Sequence, residues 1–279
     1  MKYFIVDAFT TEPFGGNPAG VVLINNGFPS VSLMQQVAAE FRYSETAFVR
    51  RDGVAEFTVR YFTPCGEVDL CGHATIASFG VLFKIGMVAD GTLCINHTLA
   101  GDLQVRVGEK VMMQMDEPHI FDTVVDIDRL HTIMGVKNSQ DELPVQVVST
   151  GLPDIILPVN SIGELNAIVP DMDALAQLSK KLEVTGVHAF ALSDDGYTAH
   201  VRNFGPLYGI PEESATGTAN AALTHYLHHN GIISSPGGFR FLQGEVMQRP
   251  SVVETSILDD DSIWVGGNST IIAKGDLII

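Results

Sequence analysis

The chain has 279 residues, 46% hydrophobic and 18% charged, which is a globular composition long enough for one large domain or two ordinary ones. Its 16 basic and 33 acidic residues give a formal net charge of −17, which repels phosphate backbones and anionic lipids and argues against nucleic-acid and membrane partners. An acid at Asp7 comes too early for a signal peptide, no segment holds ~18 unbroken apolar residues, and Cys65, Cys71 and Cys94 are odd in number, so a cytoplasmic protein is expected.

Taken in chain order, short apolar or alternating runs occupy residues 4–9, 20–24, 46–49, 57–62, 101–107 and 111–115, then 145–149, 155–159, 189–193, 239–242 and 262–265. Gly, Pro, Asn and Asp bound them, and each predicts a strand. Residues 32–40, 127–134 and 172–180 predict helices. Two more helices open near Gly72 and Gly217, rich in Ala and Gly, and stop at Gly86 and Gly231, where glycine can take the left-handed position that ends a helix. Strands cluster instead of alternating with helices, so the class is α+β. A linker over residues 117–126 divides an N-terminal lobe, 1–119, from a C-terminal lobe, 120–279.

The chain repeats itself. At an offset of 142, residues 47–64 match residues 189–206 at Ala47/Ala189, Phe48/Phe190, Asp52/Asp194, Val59/Val201, Arg60/Arg202, Phe62/Phe204 and Pro64/Pro206. Chance gives about one identity over such a stretch. After three inserted residues the match resumes with Gly72/Gly217, Ala74/Ala219, Ala77/Ala222, Leu82/Leu227 and Gly86/Gly231. A period this long means duplication of a whole domain, and two similar lobes with buried central helices are expected to face each other.

Several residues could carry chemistry. Glu45 opens an apolar strand, and its counterpart is Val187, so the duplicated site keeps a carboxylate on one side only. Either it is a solvated strand-end acid or it removes and returns a proton in the cleft where the lobes meet. Gly72 and Ala74 in one half, and Thr216, Gly217 and Thr218 in the other, stand at helix starts, where backbone N–H groups can hold a substrate carboxylate. Ordinary capping by Asp69 or Thr216 is the competing reading. His73 can donate or accept a hydrogen bond beside such a group, and Glu213 stands in the corresponding loop, although a helix-leading acid is common there. Asn17 could bind substrate or simply make a turn. No nucleotide-binding fingerprint is present, and His225, His228 and His229 read as a solvated helix end in preference to a metal site. The second half holds no cysteine, which excludes a mechanism with one thiol from each half.

Phe14-Gly15-Gly16-Asn17-Pro18-Ala19-Gly20, Ser44-Glu45-Thr46-Ala47-Phe48, Leu70-Cys71-Gly72-His73-Ala74-Thr75, residues 209–219, and Gln243-Gly244 with Arg249-Pro250-Ser251 together resemble the PhzF-like, phenazine biosynthesis-like family. The resemblance implies a diaminopimelate-epimerase-like fold: two pseudo-symmetric lobes, each an antiparallel sheet rolled around a central helix, commonly in a homodimer. It implies a cofactor-independent isomerase that shifts a proton on a small carboxylate-bearing substrate, without metal. Glu45 matches the acid/base, His73 and Glu213 its partners, and Thr218 a substrate-contacting Ser. Asn17, Ser44, Gly72, Ala74, Thr216 and Gly217 complete the expected substrate contacts. Glu213 replaces an Asp and Ser214 a Pro of the usual pattern, so phenazine biosynthesis itself is not implied, and a non-catalytic binding or scaffold protein on the same fold is the alternative.

Overall fold

The computed structural model describes residues 1–136 and 143–279. The chain divides into two compact units, Met1–Gln114 with Gly266–Ile279, and Met115–Val265.

In the first unit, β1 (Lys2–Ala8) pairs antiparallel with β2 (Asn17–Ile24), and after α1 (Val31–Phe41) the chain returns as β3 (Glu45–Arg51), parallel to β2. β4 (Glu56–Phe62) runs antiparallel to β3, and its Phe57, Val59 and Tyr61 are buried while the residues between them are not, the period-2 pattern of a half-buried strand. A short β5 (Glu67–Val68) turns back on β4 and leads to α2 (Gly72–Lys84). This helix is buried from His73 through Leu82, which its run of small residues permits by letting strands close in on every side. Gly86 ends it at φ 73°, its N–H bonded to Phe83 O. Beyond it, β6 (Thr92–Thr98) lies parallel to β4, β7 (Gly101–Val107) antiparallel to β6, and β8 (Val111–Gln114) antiparallel to β7.

The second unit repeats this plan. β9 (His119–Phe121) pairs antiparallel with β10 (Gln146–Ser149), which follows α3 (Ile127–Met134) and pairs antiparallel with β11 (Pro153–Pro158). α4 (Ile162–Ala167) and α5 (Met172–Leu182) precede β12 (Val187–Leu192), parallel to β11 as β3 is to β2. β13 (Ala199–Gly205) is antiparallel to β12, a 3-10 turn (Pro206–Tyr208) follows, and β14 (Ile210–Glu213) folds back on β13. After α6 (Gly217–His229), ended by Gly231 at φ 74°, β15 (Gly237–Gln243) lies parallel to β13 and β16 (Ser251–Ile257) antiparallel to β15. β17 (Ile263–Gly267) then leads to β18 (Ser269–Asp276), which pairs antiparallel with β1.

Apolar residues cover both faces of β11 and β12. Ile155, Leu157, Val187 and Ala189 pack with Leu130, Leu165 and Leu175 of α3–α5, while Ile156 and Phe190 pack with Ala222, Leu223 and Tyr226 of α6. Burial on two sides explains why these strands read as unbroken apolar runs.

The α+β class stands as expected, and in each unit mostly antiparallel strands pack against a buried central helix. Two features differ from the sequence reading. The linker over 117–126 contains β9, too short at three residues to show a period. The last residues, 266–279, belong to the first unit and not to a lobe running on to 279, because β18 supplies β1 with its second neighbour. β6, β16 and β18 were also missed, since Thr, Ser and Asn carry much of their alternation.

The duplicated Val-Arg-x-Phe segment turns out to be structural. Arg60 grips Glu67 through both carboxylate oxygens at 2.6 Å, and Arg202 grips Glu212 at 2.8 and 2.7 Å. Each guanidinium also stacks over a phenylalanine, Phe62 or Phe204. The bidentate pair pins the loop that feeds the central helix. Arg202 is the deeper of the two and donates further to the carbonyls of Leu165 and Ile168 at 3.0 and 2.8 Å.

Candidate active site

In the first unit, β3 begins at Glu45, opposite Ala19 of β2, and Asn17 is the buried first residue of β2. The start of α2 brings His73 to the same place. Its ring is 4% exposed and the Glu45 side chain 15%. Glu45 Oε2 lies 3.2 Å from His73 Nε2, and Ser44 Oγ lies 3.3 Å from the same nitrogen. Oε2 is buried yet has no hydrogen-bond partner, so its approach to the ring is proximity without alignment. A buried carboxylate oxygen in that condition is uncommon in folded proteins and is free to take a proton from something else. Gly72 and Ala74 flank His73 in the first turn of α2.

Glu45, Cys71 and His73 form the one group of potential metal ligands among the described residues, each offering an atom within 4.8 Å of the others. Cys71 Sγ, however, lies 3.4 Å from Nδ1 and 4.0 Å from Nε2 of His73. That puts sulfur beside the ring, off the lone-pair direction of either nitrogen, where one tetrahedral ion could not be held by all three without rearrangement. The same placement keeps Cys71 from lining up with His73 as a nucleophile pair.

In the second unit, an offset of 145 sets Thr216, Gly217 and Thr218 on Cys71, Gly72 and His73. Thr216 and Cys71 share an extended backbone at the helix start, and neither caps the helix with its side chain. Capping by Thr216 is therefore corrected: its hydroxyl donates to Glu213 Oε2 at 2.6 Å. Gln243 holds this corner together. Its Oε1 accepts from Thr216 N at 3.1 Å and Asn220 Nδ2 at 2.9 Å, while its Nε2 donates to Glu213 O at 2.8 Å and Thr216 Oγ1 at 3.1 Å. Thr150 Oγ1 donates to Thr218 O at 3.0 Å. Glu213, Thr216, Gly217 and Thr218 thus form one local group, as Glu45, Ser44, Gly72, His73 and Ala74 form another.

Sequence reasoning gave no role to Gln243, Asp154 or His188. Asp154 and His188 each sit inside an apolar strand, and a titratable residue in such a run was the available signal. Burial, then the charge of Glu213, push the Asp154 carboxyl up to about 7 against a backbone N–H bond from Gly186. Burial takes His188 down to about 3, so its ring is neutral. At the end of α6, the rings of His225 and His229 are 6.3 Å apart, and burial followed by His229 and His228 lowers His225.

No described helix is long and apolar enough to cross a membrane. The profile of the family described as "Phenazine biosynthesis-like protein" matches residues 6–275. An uncharacterised isomerase of Clostridium acetobutylicum is 32% identical over 98% of this chain and 97% of its own length. The trans-2,3-dihydro-3-hydroxyanthranilate isomerase of Pseudomonas chlororaphis is 28% identical over 99% of each. The crystal structure of the Bacillus anthracis phenazine biosynthesis protein of the PhzF family superposes with a TM-score of 0.89 at 26% identity, covering 100% of this chain and 99% of that one. The chain belongs to the phenazine biosynthesis-like family and is an isomerase.

Proposed function

We propose that this isomerase moves a proton on a small carboxylate-bearing substrate without a cofactor, with Glu45 as the acid/base. The observation that carries the reading is the buried, unpartnered Oε2 of Glu45 beside the His73 ring. As a carboxylate, Glu45 removes a proton from one carbon and becomes a neutral acid; it then returns that proton to a second carbon, so no net proton is consumed. His73, held by Ser44, hydrogen-bonds the substrate where charge builds up. The start of α2 offers backbone N–H groups and the positive end of the helix dipole to the substrate carboxylate, and Asn17 adds a polar contact. In the second unit the start of α6 offers the same kind of N–H donors beside Thr216, Thr218 and the Glu213 carboxylate that Thr216 fixes.

The test follows C–H exchange in deuterated water by NMR, starting with trans-2,3-dihydro-3-hydroxyanthranilate, the compound named for the Pseudomonas relative. A screen of related cyclic carboxylates follows, since Glu213 and Ser214 depart from the family pattern. Glu45→Gln should abolish exchange on any substrate the wild type turns over. Undiminished exchange in that variant would sink the assignment, and tight binding without exchange at any carbon would point to a binding protein instead.

A further inference from the structure

Thr216 stands where a helix takes its N-terminal cap, and a threonine hydroxyl is a good cap, yet it does not cap α6. A buried amide holds it elsewhere. Gln243 is fully buried at the end of β15, where its backbone is level with Val201 of β13 on one side and Ser251 of β16 on the other. The next residue, Gly244, has φ 81°, and a Cβ added there would stand 2.7 Å from Ser214 O. The turn after β15 thus lies directly on the loop that follows Glu213. Strand pairing and this close approach together fix the amide against that loop.

The bonds of the amide leave it one orientation. Thr216 N can only donate and Glu213 O can only accept, so the oxygen of Gln243 faces the first, at 3.1 Å, and its nitrogen faces the second, at 2.8 Å. Asn220 Nδ2 agrees, donating to the same oxygen at 2.9 Å. The nitrogen has a second proton, which goes to Thr216 Oγ1 at 3.1 Å. A hydroxyl oxygen that accepts there still has its own proton to give, and Glu213 Oε2 lies 2.6 Å away to take it. The first unit keeps a different part of this corner. Thr75 Oγ1 donates to Cys71 O as Asn220 Nδ2 donates to Thr216 O, but a thiol, lying beside His73, stands in place of the Thr216 hydroxyl.

We propose that Gln243 is a positioning residue for Glu213: its amide turns the Thr216 hydroxyl from the start of α6 to the Glu213 carboxylate, which it holds as a fixed, ionised acceptor. The inference rests on the reading of this corner as part of the active site, but its test needs no substrate. The Glu213 carboxyl 13C shift of the full-length labelled protein is followed from pH 3 to pH 10, with Glu213→Gln supplying the assignment. A bond donated to the ionised form lowers a carboxyl midpoint, so losing it raises the midpoint. Thr216→Val should raise the Glu213 midpoint by at least about 0.3 pH unit, roughly a twofold change in its protonation ratio, and Thr216→Ser should not. Gln243→Met should raise it as much with Thr216 untouched, and the two changes together should add little to either, since both remove one bond. Asn220→Ala takes a bond from the oxygen end of the same amide and should leave the midpoint within that limit. Glu212, locked to Arg202, and Asp154, which feels the Glu213 charge, are common to every variant and cancel in the comparison. An unmoved midpoint in Thr216→Val or Gln243→Met, or an equal rise in Asn220→Ala, overturns the proposal. Should Gln243→Met fail to fold, Gln243→Asn, which keeps an amide but draws it back by one methylene, decides by the same midpoint. An unmoved midpoint with Glu45-dependent exchange intact would discard this proposal alone, and the reverse result would discard the acid/base reading alone.

Discussion

The starts of α2 and α6 share one backbone and carry different chemistry. Both follow a short strand pinned by an Arg–Glu pair, both open from an extended residue that does not cap, and both end at a glycine with φ near 74°. In the first unit the strand beside the helix offers Glu45 and the helix offers His73; in the second, Thr218 takes the place of His73, and Gly186, not Val187 as the sequence offset suggests, takes that of Glu45, because Arg60 is level with Phe48 and Arg202 with Ala189. Duplication kept the backbone of the helix starts and let the side chains around them diverge. A single acid/base is what a shift between two carbons of one substrate needs.

The sharpest way to break this comparison is at its asymmetric residue. Glu45→Gln should cost ~10³-fold or more in exchange rate, within the range a positioned general base supplies, and adding Val187→Glu should not restore it; exchange NMR reads both. The structural parts should instead behave as unequal twins. Arg202→Met should destabilise by about 3–5 kcal/mol, because it strands Glu212 and two backbone carbonyls in a buried setting. Arg60→Met, at a more exposed pair, should cost about 1–2 kcal/mol in the same urea titrations.

Asp154 gives a pH-dependent contrast with Ala19, which holds the matching place in β2. Its folded pKa, about 7, lies above the ordinary 3.8, so its stabilising contribution is complete below pH 3.8 and is lost as pH rises through 7. Between pH 5 and pH 8 the wild type should therefore lose about 2–3 kcal/mol more than Asp154→Asn does, by urea midpoints at the two pH values. The smallest effect tests the symmetry itself: Gly86→Ala and Gly231→Ala should each cost about 1 kcal/mol, equally, since both sit in the left-handed region that ends a helix.

Much of this was legible in the sequence, for identifiable reasons. The repeat shows because Arg60, Phe62 and Pro64 recur with their neighbours at one spacing, and the central helices show because glycines stop them. The bonding role of Arg60 and Arg202 stayed hidden because the offset changes from 142 to 145 between each arginine and its glutamate. The placing of Asp154 beside Gly186, whose backbone bonds it, depends on the register of β11 against β12, which no local pattern encodes. Glu45 was visible as an acid at the head of an apolar strand, while its contact with His73, 28 residues on (73 − 45), needed β3 and α2 placed in three dimensions.

The return of β18 to β1 has a consequence for synthesis. A ribosome that has made the first 265 residues has synthesised everything the second unit needs, while β1 still lacks its second neighbour and α2 lacks the carbonyl of Ser269 that accepts from Lys84. The half made first is thus the half finished last, reversing the usual N-to-C order in which domains mature. Until β18 emerges, β1 presents an open sheet edge, and a stop codon placed before β18 strikes the unit that carries Glu45.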